Sequence, residues 1–447
     1  MDLKRKLITT LPKSVKQALA IPYDYYQTTK ADRQFSAKEL PKSVPSDSAP
    51  DHIVCVVVDA LRADHVDDEL TPYLSSLQGT KAITPGSWTF PAVSSVLSGV
   101  YPHEHGAMRQ TDEFDDNDGI RLPPRMSADR VTITEALAGA GYDTYGGFGH
   151  DTPFVALAGR FQTHELYHTI NSDADDVLAD YIEWVDGRDR TFAFLHLADP
   201  HIPVDPPSEY WDKHNVDRSI EGLQNWKYQT DVDCDDPCQR YRKHRQRLYR
   251  ASVDYVDDAL ERFGKRLEET LDDPLLVVTS DHGEAHWEHV EFDVEYFDGS
   301  GCVDHGGAPY EVISRVPLLT NTDWSFDKTV SLVDLPVTFA DLTGIEFGDV
   351  SGCSLLDEQP SDRFAVVEGS LKGHEKKAIY HGGYKLLVSQ GHGVEFGYSV
   401  PDETRVDLPD DEYEILTKEL PPWPSESNAK TEVSGVVEDR LEDLGYT

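Results

Sequence analysis

Ile53-Val54-Cys55-Val56-Val57-Val58-Asp59 is a run of six apolar residues that ends in a carboxylate. An unbroken, largely β-branched run of this length reads as a strand covered on both faces, as in a parallel sheet. Phe192 to Leu197 and Leu275 to Thr279 have the same texture. Helical segments fall between these runs. One starts at Thr132, with Glu135 three residues on, the pattern of a capping box. A second covers roughly Asp173 to Val185, and a longer one about Arg242 to Glu269. Strands alternating with helices predict an α/β fold with a mostly parallel central sheet and helices on both faces. No internal repeat interrupts this order.

Outside this core the texture changes twice. Residues 1–50 hold nine Lys/Arg against five Asp/Glu, a local net of +4 in a chain of net −41. The remainder therefore carries −45. Leu3, Leu7, Leu11, Val15 and Leu19 recur at intervals of four, an apolar stripe on a helix that Pro12 breaks. Residues 41–50, with three prolines and three serines, read as a linker. Beyond about residue 365, Lys377-Ala378-Ile379-Tyr380 and Tyr384-Lys385-Leu386-Leu387-Val388 flank Gly382-Gly383, which is hairpin chemistry. The expected organisation is a basic N-terminal segment and linker (1–50), a catalytic domain (51–365), and a small antiparallel C-terminal subdomain with a polar tail (366–447).

The charge excludes some functions. With 82 acidic and 41 basic side chains, the surface repels nucleic acid, whose affinity for proteins rests on Lys and Arg. Carboxylates spread along the whole chain point to a halophile with a high-salt cytoplasm, where salt screens their repulsion. No run approaches eighteen apolar residues, so no transmembrane helix is expected. No apolar region follows the basic start, so no secretory signal is read and the expected location is cytoplasmic. Five cysteines without regular spacing do not describe a disulfide framework. Cys234 and Cys238 read as two unlinked surface thiols in preference to a local clip.

The chemistry gathers at strand ends. The run 53–58 ends in Asp59, the run 275–279 leads into Ser280-Asp281-His282-Gly283-Glu284, and the run 192–197 leads into Asp199-Pro200-His201. Sites of open parallel sheets form at the carboxyl ends of strands. One Asp after a strand is more often a turn former. Several together need a cation to neutralise them. A fourth element is Trp88-Thr89-Phe90-Pro91-Ala92-Val93-Ser94-Ser95-Val96-Leu97-Ser98-Gly99. Pro91 suits the first turn of a helix and Gly99 its end. Thr89 would then precede a helix N-terminus, where free N–H groups favour an anion. Local sequence alone favours a simple capping role for Thr89. Beside a metal, the same hydroxyl could become a nucleophile.

Taken in order, these pieces resemble the sulfatase-like branch of the alkaline phosphatase superfamily. Val57-Val58-Asp59-Ala60-Leu61-Arg62-Ala63-Asp64 is similar to its opening signature, and Thr89 to Gly99 with Tyr101-Pro102-His103-Glu104-His105-Gly106 to its nucleophile helix. His196-Leu197-Ala198-Asp199-Pro200-His201-Ile202-Pro203 resembles a mid-chain motif. Thr279 to Glu284, Glu288-His289, Arg315-Val316-Pro317-Leu318 and Ser331 to Pro336 resemble later blocks. The resemblance covers about residues 51–345.

It implies one divalent metal (Ca, Mn, Mg or Zn) held by Asp59, Asp281 and His282, with Thr89 as nucleophile and further ligand. His201 would bind substrate or protonate the leaving group. His305 falls where relatives place a substrate-contacting or second-metal histidine, so a second metal would need His201, Asp199 or His305 to converge. His286, Glu288 and His289 read as supporting or exposed residues, and His103 and His105 as turn formers.

Four departures bear on substrate. Thr89 stands where sulfatases carry a Cys or Ser that becomes formylglycine. Val93 stands where an Arg is expected, and Ala60 where a second acidic residue is expected. Gly146 to His150 has no clean counterpart of the Lys-Trp-His segment. These favour a phosphate ester over a sulfate ester. The expected activity is metal-dependent hydrolysis of a small-molecule or glycan ester, with positive charge from Arg62 or Lys385 helping an anionic substrate approach. The alternatives are a phospho-group transferase acting on a glycan or lipid-linked glycan, and a non-catalytic metal-binding scaffold. A basic amphipathic segment at residues 1–20 could add peripheral membrane contact, or could pack on the enzyme's own acidic surface.

Overall fold

The computed structural model describes residues 13–109, 122–167, 173–324, 329–358, 360, 362–424 and 440. Leu3, Leu7 and Leu11 of the apolar stripe lie outside these residues. A helix spans Lys13–Ser36.

The large sheet takes its strands from the apolar runs. They are β1 (His52–Val58), β2 (Gln78–Ile83), β3 (Asp143–Phe148), β4 (Thr163–Leu166), β5 (Thr191–Leu197) and β6 (Leu275–Thr279). A short ribbon follows, β7 (Ala285–His286) with β8 (Val303–Asp304), and then β9 (Arg315–Thr320) returns to the sheet. The order is β2-β9-β6-β1-β5-β3-β4. Only β9 runs against the others, pairing antiparallel with both β2 and β6. β1 sits in the middle between β5 and β6, and every residue of it is buried. That burial is the physical reason for its unbroken Val/Ile texture.

Two apolar clusters fill the two sides of the sheet. Ile53, Cys55 and Val57 face one cluster, with Phe90, Val93 and Phe339. Val54, Val56 and Val58 face the other, with Tyr249, Val253 and Leu260 of the long helix Asp236–Thr270. The period-2 alternation of a strand thus serves two cores at once. The helix Ala174–Val185 lies within one residue of the expected span, and Thr132 with Glu135 forms the expected capping box of the helix Ile133–Gly139.

β10 (Ala365–Val367), β11 (Lys377–His381), β12 (Tyr384–Ser389), β13 (Val394–Ser399) and β14 (Thr404–Arg405) form a second, antiparallel sheet. Gly382 and Gly383 turn between β11 and β12 at φ of 55° and 89°, values a side chain would resist. This sheet docks close to the site. Trp88 Nε1 donates to the Gly369 carbonyl at 2.6 Å, and Gly86 bridges to Glu368.

Two expectations are corrected. Cys234 and Cys238 form a disulfide, not two free thiols. They straddle the start of the helix that begins at Asp236, which brings their Cα atoms to 5.4 Å, inside the range a disulfide bridges. Cys55, Cys302 and Cys353 are free. The helix expected to follow Thr89 instead begins with it. It spans Thr89–Ser98 with Trp88 as N-cap, and Pro91 is its third residue. Gly99 ends it in the left-handed region, as its position suggests.

Candidate active site

Each site residue follows from a strand end or a helix start. β1 delivers Asp59, whose N–H donates to the Leu197 carbonyl at 2.8 Å. The chain turns sharply at Ala60, φ 59°. β6 delivers Asp281 and His282. Gly283 follows because a Cβ there would lie 1.9 Å from the Val312 carbonyl oxygen. The helix Thr89–Ser98, buried along its whole length, presents Thr89 at its first turn.

These residues meet. Thr89 Oγ1 lies 3.2 Å from His282 Nε2 and 3.4 Å from Asp59 Oδ2. His282 Nε2 lies 3.4 Å from Asp59 Oδ1 and 3.6 Å from Asp281 Oδ2. All four side chains are fully buried. Asp59 Oδ1 has no hydrogen-bond partner among the described residues. Burial would raise the carboxyl of Asp59, but the imidazoles of His201, His150, His282 and His196 hold it well below its usual range. Asp281 is likewise lowered: burial and Asp59 oppose this, and His282 and His196 outweigh them. Burial lowers the His282 imidazole, which favours the neutral form that can bind a metal. Two adjacent buried carboxylates, a neutral imidazole and a hydroxyl, with one carboxylate oxygen unpartnered, fit a divalent cation.

His201 and His305 converge on the same place. Their ring centroids are 4.9 Å apart, and His305 stacks on His282 at 4.1 Å. Burial pushes the His201 imidazole down to about 3. His305 is the opposite case: burial is outweighed by Asp304 and Glu284, which push it up to about 10. Its Nδ1 lies 3.0 Å from Asp304 Oδ1 and 3.7 Å from Glu284 Oε1.

Three expected contributors are elsewhere. Asp199 is turned toward the helix Ala174–Val185, where its Oδ1 accepts from the Ala174 N–H at 3.3 Å. Burial pushes its carboxyl up to about 8, and it joins none of the clusters that could hold a metal among the described residues. Arg62 and Lys385 do not supply free positive charge. Arg62 pairs with Asp64 at 2.7 Å and with Glu288, and Lys385 is buried with Glu403 at 2.6 Å and Glu311 at 3.3 Å. Both sit among carboxylates because an unpaired buried cation is costly. His105 Nε2 bonds Ser95 Oγ at 2.9 Å and His103 pairs with Glu368 at 2.6 Å, so both shape the turn after the helix.

Two residues escaped the sequence reading. His150 Nε2 lies 2.7 Å from Asp59 Oδ2. His196 Nε2 lies 3.4 Å from Asp281 Oδ2 and 3.6 Å from Asp59 Oδ2. His150 follows the carboxyl end of β3, the same signal that singled out Asp59, and could have been found that way. His196 is an inward position of a buried strand and gives no local signal.

Known proteins resemble this chain in sequence and in fold. The sulfatase family model matches residues 51–345. An arylsulfatase of Clostridium perfringens (strain 13 / Type A) is 26% identical over 206 residues, which span 40% of each chain. A phosphonate monoester hydrolase of Agrobacterium radiobacter superposes with a TM-score of 0.61 at 15% identity, over 83% of this chain and 94% of that one. A protein solved with its substrate D-glucosamine-2-N,6-O-disulfate superposes with a TM-score of 0.58 at 16% identity, over 89% and 98%. With the family model covering the strands and helix that carry Asp59, Thr89, Asp281 and His282, the chain belongs to the sulfatase family.

Proposed function

We propose that the protein is a hydrolase that cleaves a phosphate-type ester, a small molecule or a glycan derivative, by attack of the Thr89 hydroxyl. The observation that carries the reading is the placement of Thr89 Oγ1 within 3.4 Å of both His282 Nε2 and Asp59 Oδ2, at the first position of a buried helix. Asp59, Thr89, Asp281 and His282 would hold one divalent metal, which supplies Lewis-acid polarisation of the ester and a lowered hydroxyl pKa. The N–H groups of the first helical turn favour the anionic group being attacked.

The remaining steps belong to side chains. Thr89 Oγ1 gives its proton to solvent water and bonds to phosphorus as the bond to the leaving oxygen breaks. The departing alcohol takes a proton from His305, which Asp304 and Glu284 keep protonated, while His201 beside it contacts the substrate. Water then cleaves the phospho-threonine and releases phosphate with Thr89 restored. His150 holds Asp59 in place through its 2.7 Å contact.

The test is a panel of p-nitrophenyl phosphate, bis-phosphate, phosphonate and sulfate esters, run in high salt with Ca, Mn, Mg and Zn. Metal-dependent turnover that Thr89→Ala abolishes without lowering the melting temperature supports the reading. Turnover by Thr89→Ala within a few fold of the parent assigns the attack to another group and ends it.

A further inference from the structure

The acidic character of the chain is interrupted on one helix face. In Lys13–Ser36, the side chains of Asp24, Thr28, Ala31 and Phe35 are buried. The carboxylates of this stretch are engaged. Asp24 Oδ1 accepts from Arg440 at 2.8 Å, and Asp32 Oδ1 lies 2.8 Å from His164 Nδ1. The opposite face carries Tyr25, 74% exposed, and Tyr26, 61% exposed, together with exposed Lys30 and Arg33. At 3.6 residues per turn these four fall within an arc of about 140°. No carboxylate shares that arc, and neither Lys30 nor Arg33 has an ion-pair partner among the described residues.

This face is unusual in a chain with twice as many acidic as basic side chains. Residues 1–23 add Lys4, Arg5, Lys6, Lys13 and Lys16 against a single acid, Asp2. Paired exposed tyrosines among basic residues match a lipid interface, where the ring sits at the headgroup level and the ammonium or guanidinium meets anionic headgroups. Charges farther away than about 8 Å are largely screened at physiological salt, so the acidic remainder of the surface does not cancel the local attraction; in a high-salt cytoplasm the same screening weakens the cations and leaves the tyrosines to carry most of the contact. No helix among the described residues is long and apolar enough to cross a membrane, so the contact would be peripheral.

We infer that the outward face of the N-terminal helix, formed by Tyr25, Tyr26, Lys30 and Arg33, docks the protein on an anionic lipid surface. The aromatic pair supplies apolar contact that survives salt, and the two cations supply attraction that salt weakens. The inference does not depend on the ester cleaved at Thr89.

The test is flotation of the full-length chain with vesicles of phosphatidylglycerol and phosphatidylcholine, and with phosphatidylcholine alone. The parent floats with the anionic vesicles and stays below with the neutral ones. Tyr25→Ser with Tyr26→Ser, and Lys30→Glu with Arg33→Glu, each lower the bound fraction about tenfold, as expected for removing two interfacial groups. Both double variants keep the parent's circular dichroism melt and its turnover of soluble ester. Parent protein that fails to float, or variants that float equally well, overturn the inference. So does sedimentation showing that the parent is a dimer which the variants break, because the face then belongs to a second copy of the chain.

Discussion

His150 Nε2 lies 2.7 Å from Asp59 Oδ2, joining residues 91 positions apart inside a site where both are buried. The contact fixes the carboxylate that sits between Thr89 and His282. A partner that orients a metal-binding carboxylate commonly tunes affinity by 10–100-fold. His150→Ala is therefore expected to weaken divalent-metal binding by about 10–100-fold with little loss of secondary structure. Metal titration followed by calorimetry reads it directly. Unchanged affinity in His150→Ala would show that Asp59 needs no orienting partner.

Asp281→Asn keeps the shape of the side chain and removes its charge. Because Asp281 and Asp59 together supply the anionic donors of the cluster, the variant is expected to lose most bound metal after dialysis. Elemental analysis of dialysed protein gives the stoichiometry. Retention of one full equivalent by Asp281→Asn would place the metal elsewhere.

The choice of ester rests on Thr89 and Val93. Threonine cannot become formylglycine, and Val93 is fully buried among apolar side chains, where it offers no charge to a sulfate. Phosphate mono- or diesters are expected to show higher kcat/KM than the matching sulfate monoester. A sulfate ester turned over clearly faster, in the same buffer and metal, would reverse this preference.

Glu368 ties the C-terminal sheet to the turn after the Thr89 helix, through Lys377 and His103. Burial would raise its carboxyl, but Lys377 and His103 bring it down to about 2. The folded value lies below the unfolded one. The stabilisation is therefore complete above the unfolded pKa near 4.3, and is lost as pH falls toward 2. Glu368→Gln is expected to lower neutral-pH stability by about 3 kcal/mol and to flatten the acid limb of the stability profile. Denaturant melts at pH 7 and pH 3 test both. A variant as stable as the parent at pH 7 would show that the pair contributes nothing net.

The strands β1, β5 and β6 were legible as continuous apolar runs because a strand buried on both faces needs no alternation, and their β-branched content and short length favour strand over helix. The hairpin at Gly382-Gly383 was legible because positive φ selects glycine. Asp59, Asp281, His282 and His201 could be read from strand ends, a local signal, whereas Thr89 as nucleophile and His305 followed only from the family resemblance. The pairing of Cys234 with Cys238 was misread, because spacing does not reveal that a helix start folds the two together. Arg62 and Lys385 looked like free cations, because sequence does not show which carboxylates a fold brings beside them. His196 looked like one more residue of a buried strand until the sheet set β5 beside β1. Contacts across 85 or 91 positions depend on strand order and register, and the burial that makes those polar contacts strong is a property of the folded chain.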